Sequence, residues 1–174
     1  DSFQHHTLFF DQDFKQHAHE IYTNPAWPEN PLFYMSITTR TDLSGAPEGC
    51  ENVFLLVPVA AGIVDTDEIK EHYFNLIMDR LESSTGEDFR SFIQVKKSYA
   101  FRDFVQDYGA FKGNAYGLAN TLLQTAILKP SCKSRKVANL FYTGQLTVPG
   151  PGVPPSLISG QVVAREVELF LAAS

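Results

Sequence analysis

The chain has 174 residues, 44% hydrophobic and 13% aromatic, with a formal net charge of −6 and a pI near 5.3. That is enough apolar material for one domain with a real core, and it excludes a disordered tail. Net acidity without a basic stripe to neutralise phosphates argues against nucleic acid as a partner.

The densest basic run, Lys129 to Lys136, carries Lys133 and Arg135 beside Pro130 and Ser131. It reads as a solvated loop or, more sharply, as a contact for lipid phosphates. Cys50 and Cys132 stand in unrelated surroundings with no C-x-x-C spacing, so reduced thiols of a cytosolic protein are the expectation. No apolar run reaches the roughly 18 to 20 residues of a membrane-spanning helix, and no signal-peptide pattern opens the chain. The first methionine is Met35, inside a strand pattern, which suggests a piece of a longer or processed polypeptide.

In chain order, His6 to Phe10 reads as a strand and Asp13 to Tyr22 as a short helix. Asn24 to Pro31, with Pro25, Trp27, Pro28 and Pro31, is a stiff loop. Leu32 to Thr38 alternates as a strand, Thr39 to Gly49 is a loop, and Asn52 to Val59 is a strand apolar enough to be buried. Asp65 to Leu81 is the clearest helix. Asp65 can cap it with Glu68 as reciprocal partner, Ile69, Tyr73, Leu76, Ile77 and Leu81 form one apolar face, and Gly86 suits its end. Ile93 to Tyr99 reads as a strand, Phe101 to Tyr108 as a short helix and Leu118 to Leu128 as a helix after a loop punctuated by Gly109, Gly113 and Gly117. A last strand covers Asn139 to Tyr142. A last helix starts near Ser156 and presents Leu157, Val163, Val167 and Phe170. No repeat or composition shift marks a domain boundary, and the mixture predicts an α+β fold, mainly antiparallel sheet with flanking helices.

The most informative stretch is the end. No charged residue occurs between Lys136 and Arg165, and Pro149, Gly150, Pro151, Gly152, Pro154 and Pro155 separate the last strand from the last helix. Proline stiffens such a loop and glycine lets its backbone approach closely. The segment reads as backbone laid against something large, flat and uncharged, with the N–H groups of a new helix aimed at it. Gly113–Asn120 is a second candidate for close backbone approach, with Tyr116 as an aromatic wall; a plain helix-entry loop is the other reading.

The histidines tempt toward a metal, but His5 and His6 are strand neighbours that point to opposite faces. His17 and His19 are two apart on a helix, roughly 200° around it. Neither pair closes easily on one ion, and no metal site is expected. No Ser-His-Asp or Cys-His order stands out, so no catalytic acid, base or nucleophile is assigned. No G-x-G-x-x-G occurs, and Gly150-Pro151-Gly152 is not that turn.

The run from Asn139 through Thr143-Gly-Gln-Leu-Thr-Val-Pro-Gly-Pro-Gly-Val-Pro-Pro-Ser156 to Gly160 resembles the C-terminal signature of bacterial-type phytoene desaturases. Further stretches resemble the same family: His5–Phe10, Trp27-Pro28, Ala46–Asn52, Tyr73–Arg80, Lys112–Asn120 and Gln124-Thr-Ala126. The resemblance covers essentially the whole chain. It implies the C-terminal part of a two-domain, FAD-dependent, amine-oxidase-like flavoprotein that dehydrogenates phytoene towards lycopene. Residues 1–136 would form a substrate-domain portion and 137–174 a strand-loop-helix returning to the FAD domain, with the N-terminal Rossmann unit absent. Carried over, Gly144 and Gln145 would lie near the ribityl and pyrophosphate part of FAD. Gly152, Val153 and Pro154 would follow the isoalloxazine edge, and Ser156 would open the helix aimed at it. Gln145 stands where related oxidases often carry an acid.

Tyr116 and Asn114 are candidates for the substrate tunnel. The implied partners are an apolar polyene, a cytoplasmic membrane surface contacted peripherally, and the missing FAD-binding part. Two other readings stay open: a partner-binding module using an exposed Pro-Gly segment, or a non-catalytic folded fragment.

Overall fold

The computed structural model describes residues 3–119, 121–125 and 128–173. The chain divides into two compact units, one ending at Asp107 and the other beginning at Tyr108.

The first unit is built on a three-stranded antiparallel sheet in the order β1 (His6–Phe9), β2 (Phe33–Ile37), β3 (Val53–Leu56). Register places Leu8 and Leu56 on either side of Tyr34, and Thr7 and Leu55 on either side of Met35. Side chains alternate across a sheet, so Phe33, Met35 and Ile37 share one face. They are buried there against Ile77, Met78 and Leu81 of the long helix, with Phe9, Leu55 and Phe89 packed around them. Each such burial contributes about 1.5–3 kcal/mol. The fold is α+β, as the sequence predicts, but β3 is less buried than expected. Val53 and Phe54 are exposed, because β3 is an edge strand with one neighbour.

Helix α1 (Phe14–Tyr22) is capped by Asp13, whose carboxylate accepts from the N–H groups of Lys15 and Gln16. Its His17 is buried between two loops. The Leu32 N–H donates to Nδ1 at 3.1 Å, so the ring proton lies on Nε2, which donates to the Pro58 carbonyl at 2.8 Å. His5 and His6 engage Thr41 and Tyr34 through their Nδ1 atoms.

Helix α2 (Asp67–Thr85) ends at Gly86, whose φ of 74° is the left-handed conformation glycine adopts without strain. Its cap differs from the expected one. Thr66, not Asp65, accepts from the Ile69 N–H. Asp65 is instead buried, accepts from the backbone N–H of Arg102 and lies 3.7 Å from Lys70. Helix α3 (Phe101–Tyr108) is thereby tied to the first turn of α2, a link completed by Lys70 and Asp103 at 2.6 Å. Trp27 closes this end, 4.8 Å from the Tyr73 ring and donating to the Val64 carbonyl.

The strand expected at Ile93–Tyr99 is absent. After a 3-10 turn at Arg90–Phe92 the chain runs on without a ladder, and Val95 is 88% exposed. Its β-branched and aromatic residues favour a pleated, half-buried surface, but no strand lies beside them.

In the second unit the helix expected at Leu118–Leu128 is also absent among the described residues. Leu122–Gln124 is a single 3-10 turn with Leu122 and Leu123 exposed; Asn120, Ala126 and Ile127 lie outside the described residues. A helix this short is marginal without a packed face. The strand expected at Asn139–Tyr142 reduces to one bridge, Lys133 with Phe141. Helix α4 (Val153–Ala172) begins three residues earlier than expected, with Gly152 as its N-cap. Pro154 and Pro155 fit its first turn, where an N–H has no intrahelical acceptor anyway.

The Lys70 ammonium and the Ala100 N–H hold the Asp103 carboxyl below its ordinary value of 3.8. A carboxylate with a depressed folded pKa stabilises the fold above its unfolded value and loses that contribution as pH falls through its folded one. Asp103→Asn should therefore lower the melting temperature at neutral pH, with the deficit shrinking as the pH drops below 3.8. Thermal melts across pH check this; a deficit constant with pH would rule out the ion pair as its source.

Candidate functional site

Within the second unit, the Pro-Gly segment turns back on itself before α4 begins. The Thr147 N–H and hydroxyl both donate to the Gly144 carbonyl, at 3.1 and 2.9 Å, closing a tight turn over Gln145 and Leu146. One buried side chain holds this turn to the helix. The Ser159 hydroxyl, wholly inaccessible, accepts from the Gly144 N–H at 2.7 Å, donates to the Ser156 carbonyl at 2.7 Å and lies 2.9 Å from the Thr143 hydroxyl. Ser159 was not singled out from the sequence. The available signal was a small polar residue one turn after Ser156, on the same helix face, in a stretch without charge.

Gln145, Gly152, Val153, Ser156 and Leu157 line a shallow cleft of about 430 Å³ with Ala115 and Tyr116 on its other side. No lining side chain is charged. The fold thus brings together four of the six candidate cofactor residues and one of the two tunnel candidates. Gly144 and Pro154 do not line the cleft, and the Gly144 N–H is already used by Ser159. Asn114 is a turn residue: its amide accepts from the Gly117 N–H and donates to the Phe111 carbonyl. Gly117 has φ +82°, which glycine adopts without strain, and a Cβ there would meet only the Cδ2 end of the half-exposed Leu146 side chain, at 2.4 Å.

The helix start differs chemically from expectation. The Ser156 N–H is bonded to the Gly152 carbonyl at 3.0 Å, and Pro154 and Pro155 have none. Of the first three helical residues only Val153 carries an N–H. The end of α4 therefore offers the positive pole of its dipole with few hydrogen-bond donors, which suits a flat, weakly polar edge better than a phosphate. Gly152, at φ 109° and ψ 158°, occupies a region essentially confined to glycine.

No protein-family model matches the chain. Among curated proteins it is 43% identical over 162 residues to a carotenoid 3,4-desaturase of Haloarcula japonica, covering 93% of this chain and 33% of that protein. It is 31% identical over 170 residues to the zeta-carotene-forming phytoene desaturase of Myxococcus xanthus, covering 94% and 32%. It is 31% identical over 169 residues to a 4,4'-diapophytoene desaturase of Staphylococcus aureus, covering 93% and 34%. These three relatives are named as carotenoid desaturases, in line with the resemblance to the phytoene desaturases, and the chain spans about a third of their length.

Ser159→Ala removes the acceptor of a backbone N–H and should cost about 1–3 kcal/mol. Amide hydrogen exchange at Gly144 should accelerate with it; unchanged protection there would mean that another group holds the turn.

Proposed function

We propose that the parent polypeptide is an FAD-dependent carotenoid desaturase that dehydrogenates phytoene towards lycopene, and that this chain supplies part of its flavin and substrate surfaces. The observation that carries this reading is similarity along nearly the whole chain to proteins named as desaturases of carotenoids. The same similarity disfavours the partner-binding and inert-fragment readings. The Pro-Gly segment itself is mostly accessible, with Pro149, Gly152, Val153 and Pro154 exposed and Gly150 buried, so the case against the partner-binding reading rests on the similarity.

The cleft would take the flavin ring. None of its lining side chains is charged, and Gly152 and Val153 at the start of α4 are among them. Val153 would supply an N–H and an apolar edge, Gln145 an amide, and Tyr116 an aromatic wall. Ser156 would set the position of the first turn rather than donate its own N–H. Gly144 would shape the turn beneath. The ADP half would be held by an N-terminal Rossmann unit elsewhere in the parent, since this chain has no glycine-rich phosphate loop. When bound, FAD would supply the hydride acceptor for dehydrogenation of the polyene, and Gln145, Val153 and Tyr116 would hold its ring. No residue here is assigned a proton-transfer role.

For the substrate, the sheet face opposite α2 carries exposed apolar side chains beside His6 and Ser36: Leu8 is 66% and Phe54 52% exposed, with Tyr34 between their rows. It would form one wall of a dry channel for a polyene, within residues 1–136. Residues 137–174 would return to the FAD domain of a two-domain flavoprotein. Among the described residues no helix is long and apolar enough to cross a membrane. A cytoplasmic enzyme bound peripherally, drawing its substrate from the bilayer, is the arrangement proposed. The greater identity to a protein named for 3,4-desaturation favours a second reading, in which the parent acts on a carotenoid end group. Product analysis of the full-length enzyme given phytoene or a longer conjugated carotenoid distinguishes the two.

Two outcomes are expected. This chain alone should not retain FAD; a purified sample with stoichiometric flavin absorbance would overturn that. In the full-length enzyme, Val153→Asp puts an acid in the first turn of a helix, where it is favoured by about 0.3–1 kcal/mol. The melting temperature of the apoprotein should hold while flavin content and product fall together. Parental flavin content would remove Val153 from the flavin edge. Gly152 is the poorer probe, because even alanine is strained at its φ and ψ.

A further inference from the structure

The overall acidity conceals a basic second unit. From Tyr108 onward the side-chain carboxylates are Glu166 and Glu168 alone, against Lys112, Lys129, Lys133, Arg135, Lys136 and Arg165. Four of those cations gather in the segment Lys129–Lys136, which lines a concavity of about 600 Å³ with Leu128, Pro130, Ser131, Ser134 and Tyr142.

This concavity is built, not a loose run of charge. The segment is a small hairpin: the Ser134 N–H donates to the Leu140 carbonyl at 2.9 Å and the Tyr142 N–H to the Cys132 carbonyl at 2.7 Å. The Ser131 hydroxyl accepts from the Lys133 N–H, and the Ser134 hydroxyl from those of Lys136 and Val137, each at 3.2 Å. These bonds fix the tip that carries Arg135 and Lys136. The Lys129 stem lies against Gly150, where a Cβ would stand 3.1 Å from its Cε. Lys133 is 5.2 Å from the Phe170 ring centroid and 5.8 Å from that of Phe141. Among the described residues, Lys133, Arg135 and Lys136 make no ion pair, and Arg135 and Lys136 are exposed.

The apolar residues decide the kind of phosphate. Leu128 and Tyr142 line the concavity while 54% and 46% exposed, and Val137, at the tip beside Lys136, is 47% exposed. A soluble anion needs no exposed leucine or valine at its rim. A bilayer presents phosphates and, a few ångströms deeper, acyl chains, and cations interleaved with apolar tips match that profile.

We propose that the Ser131–Tyr142 hairpin and the concavity beneath it dock on the phosphate head groups of an anionic lipid surface. The proposal rests on the reading of the parent as a membrane-associated enzyme and names the surface it would use.

The test is flotation of the FAD-loaded full-length protein with phosphatidylcholine vesicles and with mixed phosphatidylcholine–phosphatidylglycerol vesicles, over a salt series. Each basic residue near an anionic surface is worth about 1 kcal/mol, so Arg135→Gln with Lys136→Gln should weaken partition onto the mixed vesicles roughly thirtyfold. Neutral vesicles should not distinguish parent from variant, and salt should weaken the parent more. A control with Lys15→Gln and Lys97→Gln, of identical net charge, should bind as the parent does. Equal loss in both doubles would reduce the effect to net charge and overturn the proposal, as would equal binding by parent and variant. Displacement of the parent from mixed vesicles by inorganic pyrophosphate, but not by sodium chloride of equal ionic strength, would assign the concavity to a soluble phosphate instead. Product formation in neutral detergent micelles, where no anionic surface exists, should be the same for the test variant and the parent. If neither makes product there while their vesicle partition still differs, the desaturase reading fails and the docking surface stands.

Discussion

The first unit depends on one strand with two neighbours. β2 is five residues long, yet it alone pairs on both edges, and its alternation assigns every nearby side chain to a side. Phe33, Met35 and Ile37 go under α2; Tyr34 and Ser36 go to the other face. A slip of one residue would exchange the two sets and leave α2 without a core. The polar links around it serve that placement. Arg80 on α2 sits 4.9 Å above the Phe33 ring and donates to the Pro31 carbonyl just before the strand, and His17 fixes Leu32 from the other side.

The second unit replaces a ladder by a hydroxyl. Ser159 has no exposed surface, and all of its bonds go to the segment around Thr143 and Gly144 or back to its own helix. A buried, fully satisfied hydroxyl of this kind orients backbone better than it adds stability. It places the Gln145 turn and the start of α4 beside the same cleft, which Ala115 and Tyr116 also line.

What the sequence made legible follows from where each element finds its partner. β1, β2 and α2 were readable because their apolar periodicity is satisfied within a hundred residues, and Gly86 marks the helix end by its own chemistry. Among the described residues, Ile93–Tyr99 and Leu118–Leu128 depart from the expected strand and helix for one shared reason: both have the composition of a regular element, but local propensity is weak without a neighbour to bury it. Asn139–Tyr142 does find a neighbour in residues 132–134, but the pairing amounts to a single bridge. The cap of α2 moved by one residue because Asp65 finds stronger partners in Lys70 and Arg102 than in a helix N–H. At the candidate site, the uncharged Pro-Gly run is legible as a surface. Which N–H groups are free there is not, because Gly144 and Ser156 spend theirs internally.

The two prolines at the start of α4 carry one more implication. A glycine-rich loop that must order around a ligand loses backbone entropy on binding, roughly 1–2 kcal/mol for each residue fixed. Pro154 and Pro155 have their φ set by covalent rings, and helix geometry fixes their ψ before any ligand arrives. That part of the wall has lost its freedom in folding, so a ligand meeting it has little left to freeze. The cleft combines this rigid rim with the glycine at position 152, whose unusual conformation is likewise set by the fold. A ring bound there, as proposed, would be selected by shape, with a small entropic penalty on binding.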